Sequence, residues 1–292
     1  MQNKMTDMML STEKINHYLQ TLGCESSAVK SDQALATLSR LQLLHLSHYP
    51  FQSLSTVLHE IVDIDPDAIY QKLVIERRGG YCYEHNELLR QALVALDFDA
   101  VTLTGYIVHE NNPATPKART HTLLKVMVDG VSYLADVGFG GQVPTAPLKL
   151  ELDIIQTTPH GEYRLSAFGE KWVLSVQIKG QWQMLYAFDL VPADRPLLEM
   201  GNWFVSTHPS SPFRTRLMAS RIEPQGVRHS LLNTRYRRHE IGRASLSQEI
   251  SSVDDLFELL TQTFGINTDH IYDKKPVLQQ FLDQYIKSRA SN

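Results

Sequence analysis

Arg77-Arg78-Gly79-Gly80-Tyr81-Cys82-Tyr83-Glu84-His85-Asn86 is the stretch from which the rest of the chain is best read. After it, Leu88, Leu89, Ala92, Leu93 and Leu96 recur at helical spacing, which places Cys82 in or beside the first turn of a helix. The two glycines allow a tight backbone approach at that point. First-turn N–H groups have no partners within the helix and favour negative charge. They therefore favour the thiolate form of a cysteine, and Arg78 acts in the same direction. The same groups could steady an oxyanion on a carbonyl attacked by the sulfur. Against this stands a plainer role, a small buried residue between two tyrosines, because free cysteine is among the most buried residue types.

Upstream the chain reads as helix. Ser11-Thr12-Glu13 caps a segment carrying Ile15, Tyr18, Leu19 and Leu22 that ends at Gly23. Ser31-Asp32 starts another, with Leu35, Leu38, Leu41 and Leu44-His45 at helical spacing and Pro50 as its stop. A third follows Asp65-Pro66, with Ile69, Leu73 and Val74 as its apolar face. Downstream, from about Asp99, the pattern becomes short strands: Ala100–Val108, Thr122–Val128, Val131–Val137, Tyr163–Ala167, Lys171–Ile178 and Trp182–Phe188. Beyond Asn202 loop, strand and helix mix, with helices expected over Val253–Phe264 and Lys275–Ile286. Helices, then strands, then a mixed tail predict an α+β protein.

Composition narrows the function. The chain has 292 residues, 42% hydrophobic and 21% charged, ordinary for a globular protein of two or three units. Its 28 Lys+Arg against 32 Asp+Glu give −4, which calls for no nucleic-acid or membrane partner. Met1–Leu10 holds no apolar run of signal-peptide length and no stretch reaches membrane-span length, so a cytoplasmic location is expected. Two cysteines, Cys24 and Cys82, are too few for a disulfide scaffold or a four-cysteine zinc site. Cys24 follows Gly23 at a helix end and reads as packing. Cys82, Glu84 and His85 are close enough to suggest metal ligands, but their spacing is not that of the usual zinc motifs.

A catalytic cysteine needs a base and a group to orient it. Asp129-Gly130 is a preferred two-residue hairpin turn between two strand patterns. If it sets the register, Val128 faces Val131 and Leu123 lies opposite Asp136. His121 then shares a face with Asp136 as its diagonal neighbour, about 7–8 Å away at the backbone and within side-chain reach. A slip of one residue would put the two on opposite faces. The other reading is a strand-end aspartate and an exposed histidine. Taken together, Cys82, His121 and Asp136 favour a Cys–His–Asp triad.

These residues resemble the arylamine N-acetyltransferase family. The likeness is carried by Arg78-Gly79-Gly80-Tyr81-Cys82-Tyr83-Glu84 with Asn86, by Arg119-Thr120-His121, and by Ala135-Asp136-Val137-Gly138-Phe139-Gly140-Gly141. His48-Tyr49-Pro50-Phe51 and the segment Asn202–Phe213, containing Ser206-Thr207-His208-Pro209, support it in the same order. The resemblance implies a helical N-terminal bundle (1–98), a β-barrel-like middle domain (99–205) and an α/β C-terminal lid (206–292), around a core similar to thiol proteases. It implies Cys82 as the acetylated nucleophile, His121 as its base and Asp136 as the orienter. It also implies acetyl-CoA as co-substrate and an aromatic amine, hydrazine or arylhydroxylamine as acceptor. Where the family often continues Pro-Phe with Glu-Asn-Leu, this chain has Gln52-Ser53-Leu54, which puts local hydrogen bonds behind the triad in question. A cysteine hydrolase, peptidase or amide synthase would use the same three residues.

For the CoA, Gly138-Phe139-Gly140-Gly141 would let backbone approach the pyrophosphate, although glycine turns after strands are common without one. Thr120, beside the base, is a contact implied by the resemblance alone. Arg235, Arg237, Arg238 and His239 form a basic cluster that reads either as a phosphate contact, with His239 in it, or as a solvated face. No G-x-x-x-x-G-K-[ST] segment is present, so a nucleotide-hydrolysing P-loop is not supported.

Overall fold

Ser11 opens the first helix, its hydroxyl accepting from the Lys14 amide at 3.3 Å. The computed structural model describes residues 9–24, 33–115 and 117–290. Helix α1 (Thr12–Thr21) buries Ile15, Tyr18 and Leu19. Helix α2 (Ala34–His48) runs up to Tyr49-Pro50; its expected Ser31-Asp32 start, like most of Met1–Leu10, lies outside the described residues. Strand β1 (Phe51–Gln52) and the short α3 (Leu54–Val57) follow. Asp65 caps α4 (Pro66–Tyr70), which continues as a wider π turn over Gln71–Ile75. Helix α5 (Cys82–Ala95) packs its Leu88, Leu89, Ala92 and Leu93 into the core shared with α1 and α2.

The strand region forms an antiparallel sheet of eight strands. These are β2 (Asp99–Ile107), β3 (His121–Val128), β4 (Val131–Ala135), β5 (Leu148–Lys149), β6 (Ile155–Thr158), β7 (Gly161–Phe168), β8 (Lys171–Ile178) and β9 (Gln181–Phe188). Their order is β5-β4-β3-β2-β9-β8-β7-β6. The sheet curls until it is nearly closed, like a barrel. Its two edge strands are joined by one side chain. The Gln156 amide on β6 donates to the Lys149 carbonyl on β5 at 3.0 Å and accepts from the Lys149 amide at 2.7 Å. Leu103, Leu123, Leu134, Tyr163, Leu174, Tyr186 and Phe188 fill the interior. The other face of β3, with Leu124 and Val126, packs in the core that includes α5.

The Asp129-Gly130 turn takes positive φ at both residues, +49° and +78°, as an I′ hairpin requires. Val128 pairs with Val131 and Leu124 with Ala135, the predicted register. Pairing stops at Ala135 and not at the expected Val137, because the chain turns there to place Asp136 in the site.

A second sheet escaped the sequence reading. Its strands β10 (Met218–Glu223), β11 (Val227–Leu232), β12 (Arg235–Glu240) and β13 (Leu246–Glu249) extend from β1, in the order β1-β10-β11-β12-β13. Arg-Tyr-Arg-Arg-His-Glu in β12 has little of the apolar alternation by which a strand is recognised. Before this sheet comes α6 (Arg195–Thr207), capped by Asp194. After it come α7 (Val253–Glu258), widening into a π turn at Leu259–Thr263, and α8 (Lys275–Ala290). Leu256, Leu260, Phe264, Leu278 and Leu282 pack with Ala219 and Leu231 on one face of the sheet. Among the described residues no helix is long and apolar enough to cross a membrane.

Candidate active site

Cys82 is the first residue of α5, where the sequence puts it. Gly79 takes φ +67°, and a Cβ there would stand 2.5 Å from the Pro50 carbonyl oxygen. At Gly80 a Cβ would lie 2.7 Å from Glu84 Oε2. That carboxylate accepts from the Tyr81 amide at 3.0 Å, the return half of a capping box, and from Lys72 Nζ at 2.5 Å. Gln52 holds the loop from the other side. Its Nε2 donates to the carbonyls of Arg78 (3.0 Å) and Gly79 (3.1 Å), while its Oε1 accepts from the Leu54 amide. A glutamate could not donate to those carbonyls, so the departure from Glu-Asn-Leu changes which groups secure the cysteine loop.

His121 and Asp136 meet at the end of the barrel interior, Nε2 to Oδ2 at 2.8 Å. Both are buried. The second oxygen of Asp136 accepts from the Gly138 amide (2.8 Å) and from Asn86 Nδ2 (3.2 Å), and Oδ2 also accepts from the Tyr186 hydroxyl (2.9 Å). Burial is the largest single influence and opposes ionisation of both groups, but the charge and hydrogen bond of the partner, together with the neighbouring hydrogen bonds, outweigh it. The Asp136 carboxyl is held below its usual range, and His121 is raised to about 10, with Cys82 adding to the rise. His121 therefore carries a proton at neutral pH. Asn86, one turn beyond Cys82, ties α5 to this pair: Nδ2 also donates to the Thr122 carbonyl at 2.7 Å, and Oδ1 accepts from the Val137 amide at 3.0 Å.

Cys82 Sγ lies 3.7 Å from the carbonyl oxygen of half-buried Thr120. Phe139 covers the His121 ring edge-on at 5.2 Å, and Tyr186 lies 4.7 Å from it. Glu84 and His85 are engaged away from the sulfur, Glu84 with Lys72 and Tyr81 and His85 with His45 and two carbonyls. The three do not converge. Gly138 is explained by space: a Cβ there would lie 2.5 Å from Cys82 Cα and 2.7 Å from Asn86 Nδ2. Gly140 stands against Phe51 and Ser220, and the Gly141 carbonyl accepts from Arg228 at 3.0 Å.

The family model for N-acetyltransferase matches residues 34–272. The arylamine N-acetyltransferase of Escherichia coli is 38% identical over 258 residues, 88% of this chain and 90% of that one. The chain belongs to the arylamine N-acetyltransferase family. It is also 37% identical over 260 residues to the arylamine N-acetyltransferase / N-hydroxyarylamine O-acetyltransferase of Salmonella typhimurium, covering 89% and 91% of the two chains. Among solved structures, that of the Mycobacterium marinum arylamine N-acetyltransferase superposes with a TM-score of 0.85 at 34% identity, covering 92% of this chain and 98% of that one. The M. marinum enzyme has also been solved in complex with CoA.

Within this acyltransferase two of the four members of the basic cluster are ion-paired, Arg235 with Glu249 and Arg238 with Glu240. Arg237 and His239 are exposed. By the strand register His239 stands beside Arg228 and Arg237 beside Ser230, so they share the sheet face that meets Gly140 and Gly141. Sequence reasoning missed Tyr186, the hydrogen-bonding role of Gln52, and the burial of His45 and His85. Tyr186 lies at an inward β9 position that only the long-range β2–β9 pairing aims at Asp136.

Proposed function

We propose that this enzyme transfers an acetyl group from acetyl-CoA to an aromatic amine, hydrazine or arylhydroxylamine in two steps through an acetyl-cysteine at Cys82. The observation that carries this is the buried His121–Asp136 pair, held charged next to a cysteine at a helix start. With Nε2 given to Asp136, Nδ1 of His121 is left for the sulfur, and the pair acts as thiolate and imidazolium. Sγ adds to the thioester carbonyl, first-turn N–H groups of α5 steady the oxyanion, and collapse breaks the bond to the CoA sulfur. CoA leaves with the proton from His121. The acceptor nitrogen then adds to the acetyl-cysteine, His121 takes the nitrogen's proton, and the C–S bond to Cys82 breaks. Asp136 keeps the ring oriented through both steps.

The sheet face bearing His239 and Arg237, next to Gly140-Gly141, is the proposed seat of the CoA phosphates, with Thr120 beside the reacting sulfur. Residues 1–98 thus bring the nucleophile, 99–205 the base and orienter, and 206–292 part of the binding face. Rapid mixing tests the order of events. Acetyl-CoA alone should release one CoA thiol per enzyme in a burst, and turnover should resume on adding an arylamine. A hydrolase would instead release CoA continuously without amine, and Cys82→Ser should give no burst.

A further inference from the structure

A second set of buried titratable groups lies behind the cysteine loop and takes no part in the steps above. Tyr18, His45 and His85 are each fully buried. The Tyr18 hydroxyl lies 2.7 Å from His45 Nδ1, and His45 Nε2 lies 2.8 Å from His85 Nδ1. His85 Nε2 lies 3.1 Å from the Gly80 carbonyl oxygen and 3.2 Å from that of Pro50. The acceptors set the direction of the whole chain. A carbonyl can only accept, so the proton of His85 is on Nε2 and its Nδ1 is bare. His45 must then donate from Nε2, which leaves its Nδ1 to accept from Tyr18. Burial holds both rings neutral, with His85 lowered to about 4. The rings are fixed in place by Tyr49, 5.7 Å from Tyr18 and 5.2 Å from His45.

The chain ends on both flanks of the nucleophile. His85 belongs to the same first turn as Cys82, and Gly80 is the second residue before it. Each carbonyl already has a backbone donor, Gln52 N on Gly80 at 2.7 Å and Gly80 N on Pro50 at 3.3 Å. His85 is thus a second donor to each. Its loss leaves no orphaned carbonyl, but it removes one link between the helix start and the loop and takes the acceptor from His45 Nε2–H. We propose that Tyr18, His45 and His85 form a directional hydrogen-bonded chain that positions the Gly80–Cys82 segment against His121 for acyl transfer. These are positioning residues, acting through the backbone beside Cys82, and the inference rests on the acetyl-cysteine reading above.

The test uses the full-length enzyme with Tyr18→Phe, His85→Leu and His85→Gln. Each is followed by the rate of acetyl-enzyme formation, by KM for acetyl-CoA, and by the pH profile of Cys82 alkylation with iodoacetamide. His85→Leu should slow acetylation by about 10²-fold, the size of effect expected when a reacting group is displaced. It should also move the alkylation midpoint to higher pH, with KM changed by less than about twofold. His85→Gln, whose amide can donate to the same carbonyls, should recover most of the rate. Tyr18→Phe should cost roughly fivefold, since it removes one remote donor. Wild-type rates and alkylation profiles in His85→Leu and Tyr18→Phe, with only the melting temperature changed, would overturn the proposal. If His85→Leu does not fold, Tyr18→Phe alone decides by the same criterion. If the wild type itself takes up no acetyl group, the acetyl-cysteine reading fails, while the alkylation profiles still judge the positioning.

Discussion

Two buried histidine pairs flank the same helix start, and they have opposite electrical characters. His121 and His85 are both buried. His121 faces a carboxylate and is raised to about 10; His85 faces an imidazole and two carbonyls and is lowered to about 4. Burial penalises charge in both, so the partner decides the outcome. In the proposed mechanism the charged pair exchanges protons with a substrate, whereas the neutral pair holds backbone in place without presenting a competing charge beside the thiol.

The most damaging way to break this contrast is Asp136→Asn. With the carboxylate gone, burial should drive His121 toward the neutral form, and acetyl transfer should fall by about 10³–10⁴-fold. Steady-state rates measure the loss, and an NMR titration should show the His121 resonance moving to a lower midpoint.

The contrast should also appear in stability against pH. His45 and His85 stay neutral in the fold and take up protons once unfolded. Stability should therefore fall as pH drops from about 6.5 toward 4, by up to about 1.4 kcal/mol per pH unit for each histidine. His121 has the opposite sign: its contribution is complete below about 6.5 and is lost as pH rises through about 10. The Asp136 contribution is present above the usual carboxylate range and is lost as pH falls through its depressed value. Urea denaturation across this range should show the acid limb flattened in a His45→Leu/His85→Leu variant, with the alkaline limb unchanged.

Smaller changes sharpen the comparison further. Gln52→Glu removes the donor to the Arg78 and Gly79 carbonyls and should destabilise the enzyme by about 1–3 kcal/mol in denaturant titration. Tyr186→Phe removes one donor to Asp136 but leaves the Gly138 amide and Asn86. The acetyl-transfer rate should fall by about tenfold or less, with His121 still charged.

The charged pair was legible in the sequence and the neutral pair was not, for a physical reason. His121 and Asp136 belong to one hairpin, and Asp129-Gly130 specifies its register, so local turn chemistry is enough to bring them together. His45 and His85 lie on separate helices whose packing is decided by the whole core. The helices around Cys82 and the strands of the first hairpin followed their periodicity closely. The second sheet did not, because β12 carries charge where a strand pattern should alternate. The glycine turn leaves a phosphate contact and a plain turn both open in the sequence; at Gly138 the structure adds a packing cause, the close approach of Cys82 Cα.

The central claim is that Cys82 carries the acetyl group between donor and acceptor. Intact-mass and peptide mass spectrometry after brief mixing with acetyl-CoA, without amine, tests it most directly. The account predicts one added acetyl group on the Cys82 peptide, lost on adding an arylamine and not formed by Cys82→Ser. No adduct on the wild type, or an adduct that survives Cys82→Ser, would contradict it.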